Sequence, residues 1–223
     1  MKKTSFYKRL GLVIAAAAVI GLAGCNSGGG GTDETSSQDP ASSSTVESSS
    51  TETMDAVTAY EKIEVGDPLD GAKGGTELKE VTEMLGEPDD SVKGGVSDSS
   101  SESSSEAMTT DIATWNNVDG AKSFIVSFVN DKAASKGMEG LEVADHDKIT
   151  LDQYNAVTTD GDYTLDQVLE VFGDPDGKSA NLIDGKISEL YNWTTNVDGG
   201  DGASINIEFV DGKVTNKANT GME

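Results

Sequence analysis

The chain holds one cysteine, Cys25, and one histidine, His146, in 223 residues. A lone thiol excludes an internal disulfide framework. A lone imidazole leaves little material for acid–base catalysis, and His146 sits in Ala-Asp-His-Asp-Lys, where a solvated linker histidine outweighs a catalytic one. Basic residues are also scarce: Lys+Arg number 16 against 40 Asp+Glu, a net charge of −24. That balance excludes nucleic-acid binding, which requires cations to displace the counterions of phosphate. It also disfavours adhesion of the folded part to anionic lipid; solubility is the plainest use of an acidic surface. No serine stands in a nucleophile-elbow context. The longest apolar run, Leu10 to Ala23, is short for a membrane span.

That run is informative through its flanks. Lys2, Lys3, Lys8 and Arg9 precede it, and Leu22, Ala23 and Gly24 put small residues just before Cys25, the order of a secretory signal with its cleavage site. Leu-Ala-Gly-Cys also resembles the lipobox of bacterial lipoproteins. The resemblance implies signal-peptidase recognition of residues 22–24, a diacylglyceryl group on the Cys25 sulfur, and Cys25 as the first mature residue. It places the protein at the cell membrane, lipid-anchored on the extracellular face, because two acyl chains suffice for stable anchoring. The mature chain then carries 12 basic and 40 acidic side chains, a net of −28.

Residues 25–54 read as a tether. Asn26 to Thr53 is almost entirely Gly, Ser, Thr and acids, and cannot bury enough surface to offset its ordering entropy. As a flexible coil of about 30 residues it reaches roughly 30 Å. A second tract of this kind, Ser97 to Glu106, lies within a Ser-rich loop at about residues 91–110.

The remainder repeats a pattern. Thr76-Glu-Leu-Lys-Glu-Val-Thr-Glu-Met-Leu-Gly-Glu-Pro-Asp89 aligns with Tyr163-Thr-Leu-Asp-Gln-Val-Leu-Glu-Val-Phe-Gly-Asp-Pro-Asp176 when Gly86 is set on Gly173. Each stretch is followed by a tryptophan, Trp115 or Trp193, and by a strand, Phe124 to Val129 or Ile205 to Val210. Leu165, Val168, Leu169 and Phe172 form one apolar stripe of a short helix. Thr164 with Gln167 predicts its capping box, Gly173 its left-handed stop, and Thr150 with Gln153 another helix start. Further on the period becomes two, and Asp184-Gly185 and Asp211-Gly212 are hairpin dipeptides. The expected fold is α+β: two tandem repeats, residues 55–140 and 141–223, each with two short helices packed on a small antiparallel sheet. The joint is expected at Met138 to Asp147.

These residues resemble the β-lactamase-inhibitory-protein-like fold, shared with small envelope lipoproteins of the SmpA/OmlA type. They are most similar to tandem-repeat lipoproteins of Gram-positive bacteria. The helix ending in Gly-x-Pro is the most specific element, while Asp67 to Gly75 is a longer link than the pattern has. The resemblance implies a sheet surface that grips another protein, and does not transfer a target.

Three functions are expected in order: a non-catalytic module binding an extracellular protein or envelope component, an inhibitor of an extracellular hydrolase, and an envelope assembly factor. No catalytic residue and no cofactor is assigned. Asp160-Gly-Asp162, Asp174-Pro-Asp176 and Asp198-Gly-Gly-Asp201 are acid-rich turns. A calcium loop centred on Gly161 would put Ala156 and Gln167 where carboxylates are required, so plain turns outweigh a metal site. Trp115, Tyr191 and Trp193 are candidate partner-binding residues if exposed, with the alternative, and weightier, reading that the tryptophans fill a core.

Overall fold

A computed structural model describes residues 53–96, 108–144 and 146–223. Cys25, its recognition residues Leu22, Ala23 and Gly24, nearly all of the tether and the Ser97–Glu106 tract lie outside the described residues. Helices α1 (Ala56–Lys62) and α2 (Leu78–Leu85) are followed by strands β1 (Asp90–Val96), β2 (Met108–Val118), β3 (Ala121–Val129) and β4 (Lys132–Glu139). Then come α3 (Leu151–Ala156), α4 (Leu165–Phe172), β5 (Gly177–Ile183), β6 (Lys186–Trp193), β7 (Gly199–Val210) and β8 (Lys213–Met222).

All eight strands join one antiparallel sheet in the order of the chain. This overturns the expected pair of helix-plus-sheet repeats. The overturning contact is β4 with β5: Ser135 to Glu139 pair with Asn181 to Gly177 across the joint that the sequence pattern marks as a boundary. The cause is general, since two small sheets would each leave an edge of unpaired N–H and C=O groups, and pairing those edges satisfies them. Met138 and Glu139, expected in the connector, belong to β4.

Local sequence chemistry accounts for the helices. Thr150 with Gln153 and Thr164 with Gln167 form the two expected capping boxes, and Glu77 with Glu80 forms a third. Gly173 closes α4 at φ 72°, a conformation costly for a residue with a Cβ.

One face of the sheet packs on the helices. Ala113, Trp115, Phe124, Val126, Phe128 and Met138 meet Tyr60, Ile63, Val81 and Leu85 in one buried cluster. Tyr191, Trp193, Ile205, Ile207, Phe209 and Val214 meet Tyr154, Val168 and Phe172 in a second. The long link after Gly66 is wedged beside β4: Gly66 N–H donates to Ala133 O (2.9 Å) and Ala133 N–H to Thr76 O (2.8 Å). A Cβ on Gly66 would lie 2.3 Å from the Ala72 carbonyl carbon, so only glycine fits there. From this link Asp67 reaches the β5–β6 turn, accepting from Asp184 N–H at 3.0 Å.

Candidate binding face

Strand residues alternate between the two faces of a sheet, so the register fixes what each face carries. Trp115, Phe124, Phe128, Tyr191, Trp193 and Phe209, the aromatic residues of the strands, all fall on the helix side. Trp115, Tyr191 and Trp193 are only 2%, 6% and 0% exposed. The contact role considered for them is thereby corrected: each is core. Trp115 Nε1–H donates to Gly86 O (2.9 Å) and Trp193 Nε1–H to Gly173 O (3.1 Å), so each indole ties its strand to the C-terminal cap of a helix. Phe172 stands edge-on to Trp193 at 5.4 Å between ring centroids.

The opposite face has a different composition. Across the central strands one row reads Ser127, Ser135, Asn181, Ser188, and the next reads Ile125, Gly137, Ser179, Leu190. Neither row contains a charge. The first continues outward through Ile112 to Val92. Val92, Ile112, Ile183 and Leu190, four large apolar side chains on this face, are 60%, 45%, 47% and 45% exposed. The helix layer, by contrast, displays Glu61, Glu77, Glu80, Glu83, Asp152, Asp166 and Glu170, all exposed.

Residues 52–222 match the family described as a domain of unknown function with solved structure, DUF3862. The chain belongs to this family. Among curated proteins no match is found. Among solved structures the chain is similar to a "putative beta-lactamase inhibitor protein" from Streptococcus mutans, at 20% identity and a TM-score of 0.55, covering 75% of this chain and 96% of that one. The likeness is one of fold. This family member shares its architecture with a protein named for inhibition, and among the described residues no helix packs on the second face of its sheet.

The remaining candidates have structural duties. Asp176 accepts Thr194 N–H (2.6 Å) and Thr195 N–H (2.9 Å), and bonds the Thr195 hydroxyl. Burial opposes its ionisation, but these donors outweigh burial and hold its pKa below the usual carboxylate value. Asp160 accepts from the Thr158 hydroxyl (2.7 Å) and Asp162 N–H (3.2 Å), and Asp198 lies 3.6 Å from Lys148. Among the described residues no three His, Cys, Asp or Glu side chains are grouped to hold a metal ion. His146 Nδ1–H donates to Asp147 O (2.7 Å), and the ring packs over Gly173. Among the described residues no helix is long and apolar enough to cross a membrane.

Sequence reasoning missed a polar cluster on the helix side of β4, β5 and β6. Lys136 Nζ donates to Tyr60 O (2.5 Å) and Ile63 O (2.7 Å), satisfying the end of α1, and lies 4.3 Å from the Tyr60 ring centroid. Burial pushes its pKa down to about 8. Lys178 sits 4.5 Å from the same centroid and is likewise lowered by burial. The Tyr60 hydroxyl is buried without a hydrogen-bond partner, and Tyr191 donates to Glu189 at 3.4 Å. A signal existed: Lys136 and Lys178 break the apolar pattern at positions facing the core. Lys217 shows the same device in the other half, donating to Tyr154 O at 2.7 Å with its Nζ 4.3 Å from the Tyr154 ring centroid.

Proposed function

We propose that the protein is a non-catalytic binding module, held at the extracellular face of the membrane through Cys25, that takes a protein or envelope component onto the uncovered face of its sheet. One observation carries this reading: on a chain of net charge −24, the two central rows of that face have no charge from β3 to β6, and the first is continued by exposed Ile112 and Val92, while the second ends at Asp90 and Glu208. Depletion of charge is the compositional mark of an interface centre. A patch of exposed aliphatic side chains is retained at a cost in solubility unless it is used.

A second reading, inhibition of an extracellular hydrolase, is favoured by the name of the Streptococcus mutans protein. Under that reading the same face covers an enzyme's active site.

The test is capture from native membranes with the full chain, followed by titration of the recovered partner. Ile112→Asp and Leu190→Asp, both at exposed positions, are expected to weaken binding at least tenfold, about 1.4 kcal/mol each, with the melting temperature unchanged. Val171→Asp on the outer side of α4 is expected to have no effect. Equal affinity for all three variants rejects the face. Loss of the partner's hydrolytic activity in the complex selects the inhibitor reading. Anchoring is tested apart: Cys25→Ala is expected to leave the detergent phase for the aqueous phase.

A further inference from the structure

The β4–β5 joint differs from the other joints of the sheet. It pairs over five residues, whereas neighbouring strands elsewhere pair over six to eight. The first hydrophobic cluster crosses it only through Ala180 of β5, and the second begins beyond it at Tyr191 of β6. Lys136, Lys178 and Glu189 stand where apolar side chains would fuse those clusters into one core.

Lys136 is held by the Tyr60 and Ile63 carbonyls, but no counter-charge meets it among the described residues. Among the described residues neither lysine has a carboxylate within 4.0 Å, and the Tyr60 hydroxyl finds no partner. Both strands also carry glycine at the joint, Gly137 on β4 and Gly177 on β5, and each glycine weakens a strand against bending. Few apolar contacts and an imperfectly satisfied polar layer define the low-stability end of a fold.

We infer that the β4–β5 seam is a hinge about which the two halves of the sheet change their mutual angle, with the Asp67–Asp184 bond as its outer latch. The inference goes beyond the binding reading and stands or falls apart from it. Its consequence for the uncovered face is direct, since Gly137 and Ser179 face each other across the seam at the centre of that face. A change of angle there alters the curvature presented to any partner.

The experiment uses the full chain carrying Cys25→Ser, with Gly137→Cys and Ser179→Cys added. A Cβ built on Gly137 lies 3.3 Å from the Ser179 Cβ, close to the 3.5–4.5 Å that a disulfide spans. Residual dipolar couplings are measured in the reduced and oxidised states, and alignment tensors are fitted separately for residues 55–139 and 177–222. Reduced protein is expected to give two tensors of different magnitude, and oxidation to merge them. Seam amides bonding β4 to β5 are expected to exchange hydrogen about tenfold faster than those of Val126 or Ile207. A single tensor in the reduced state, or seam amides as protected as Val126, overturns the hinge. Should the cysteine pair disturb the fold, Asp67→Ala in the Cys25→Ser chain replaces it: releasing the latch is expected to widen the difference between tensors, and an unchanged difference overturns the latch and hinge together.

Discussion

Trp193→Phe separates a core tryptophan from a contact tryptophan. Trp193 is fully buried, its Nε1–H bonds the Gly173 carbonyl at 3.1 Å, and its ring meets Phe172 edge-on. Phenylalanine keeps an aromatic surface but loses the donor and part of the ring. The orphaned carbonyl costs about 1–3 kcal/mol, and the unfilled volume adds about 1 kcal/mol, a fraction of the 3–5 kcal/mol for full truncation. The expected loss is about 3 kcal/mol, read in urea as a lower midpoint with an unchanged slope. For a folded unit of this size it lowers Tm by roughly 6–12 °C. Trp115→Phe, which breaks a 2.9 Å bond to Gly86 O, is expected to behave alike. Affinity per folded molecule for any captured partner is expected to stay unchanged for both. A loss below about 1 kcal/mol, or a binding defect without a stability defect, would refute the assignment of these indoles to the core.

Three further outcomes are expected. Asp176 has a folded-state pKa below its unfolded value, so its contribution is complete above about pH 4 and disappears as pH falls through the lowered value; Asp176→Asn should flatten the acid limb of midpoint against pH. Lys136 is also depressed, to about 8 from 10.5, so between those values the unfolded state binds more protons and stability rises with pH. Urea midpoints should climb from pH 8 to about 9.5, before the tyrosines titrate, and Lys136→Met should reduce the climb, leaving the part due to Lys178 and Lys217, which burial lowers in the same direction. Gly66→Ala drives a methyl into the Ala72 backbone and should cost at least about 2 kcal/mol by thermal melting, whereas Gly200→Ala, where nothing lies within 4 Å and the backbone is not left-handed, should cost less.

Legibility in the sequence followed the strength of local chemistry. Capping residues and the apolar stripe of α4 gave that helix with its ends, because Thr164, Gln167 and Gly173 act within one turn of chain. The hairpin turns were legible for the same reason, and alternation around Leu190 separated the faces of β6. What failed was long-range. β4 reads Lys-Ala-Ala-Ser-Lys-Gly-Met-Glu, with two lysines and no sustained alternation, so nothing in it announces a central strand. Its pairing with β5 is a backbone matter that side chains do not encode, and two sheets were expected where one exists. The tryptophans were ambiguous because an indole suits a core and an interface equally.

The placement of the aromatics changes how the uncovered face would have to work as a binding surface. Interfaces usually draw their energy from a few Trp, Tyr or Arg anchors seated in pockets. Here the central rows offer Ser, Asn and Gly flanked by Ile125 and Leu190, while the aromatic residues of the strands are committed to the helix side. Such a face cannot supply the anchors itself, so under the binding reading the partner brings them and this chain contributes a small-residue floor with aliphatic borders. Enlarging the floor then harms binding more than trimming it. Ser179→Leu, which fills the centre without adding charge, should weaken a captured partner more than Ser179→Ala, and the reverse order would place the energetic centre of the complex elsewhere on the sheet.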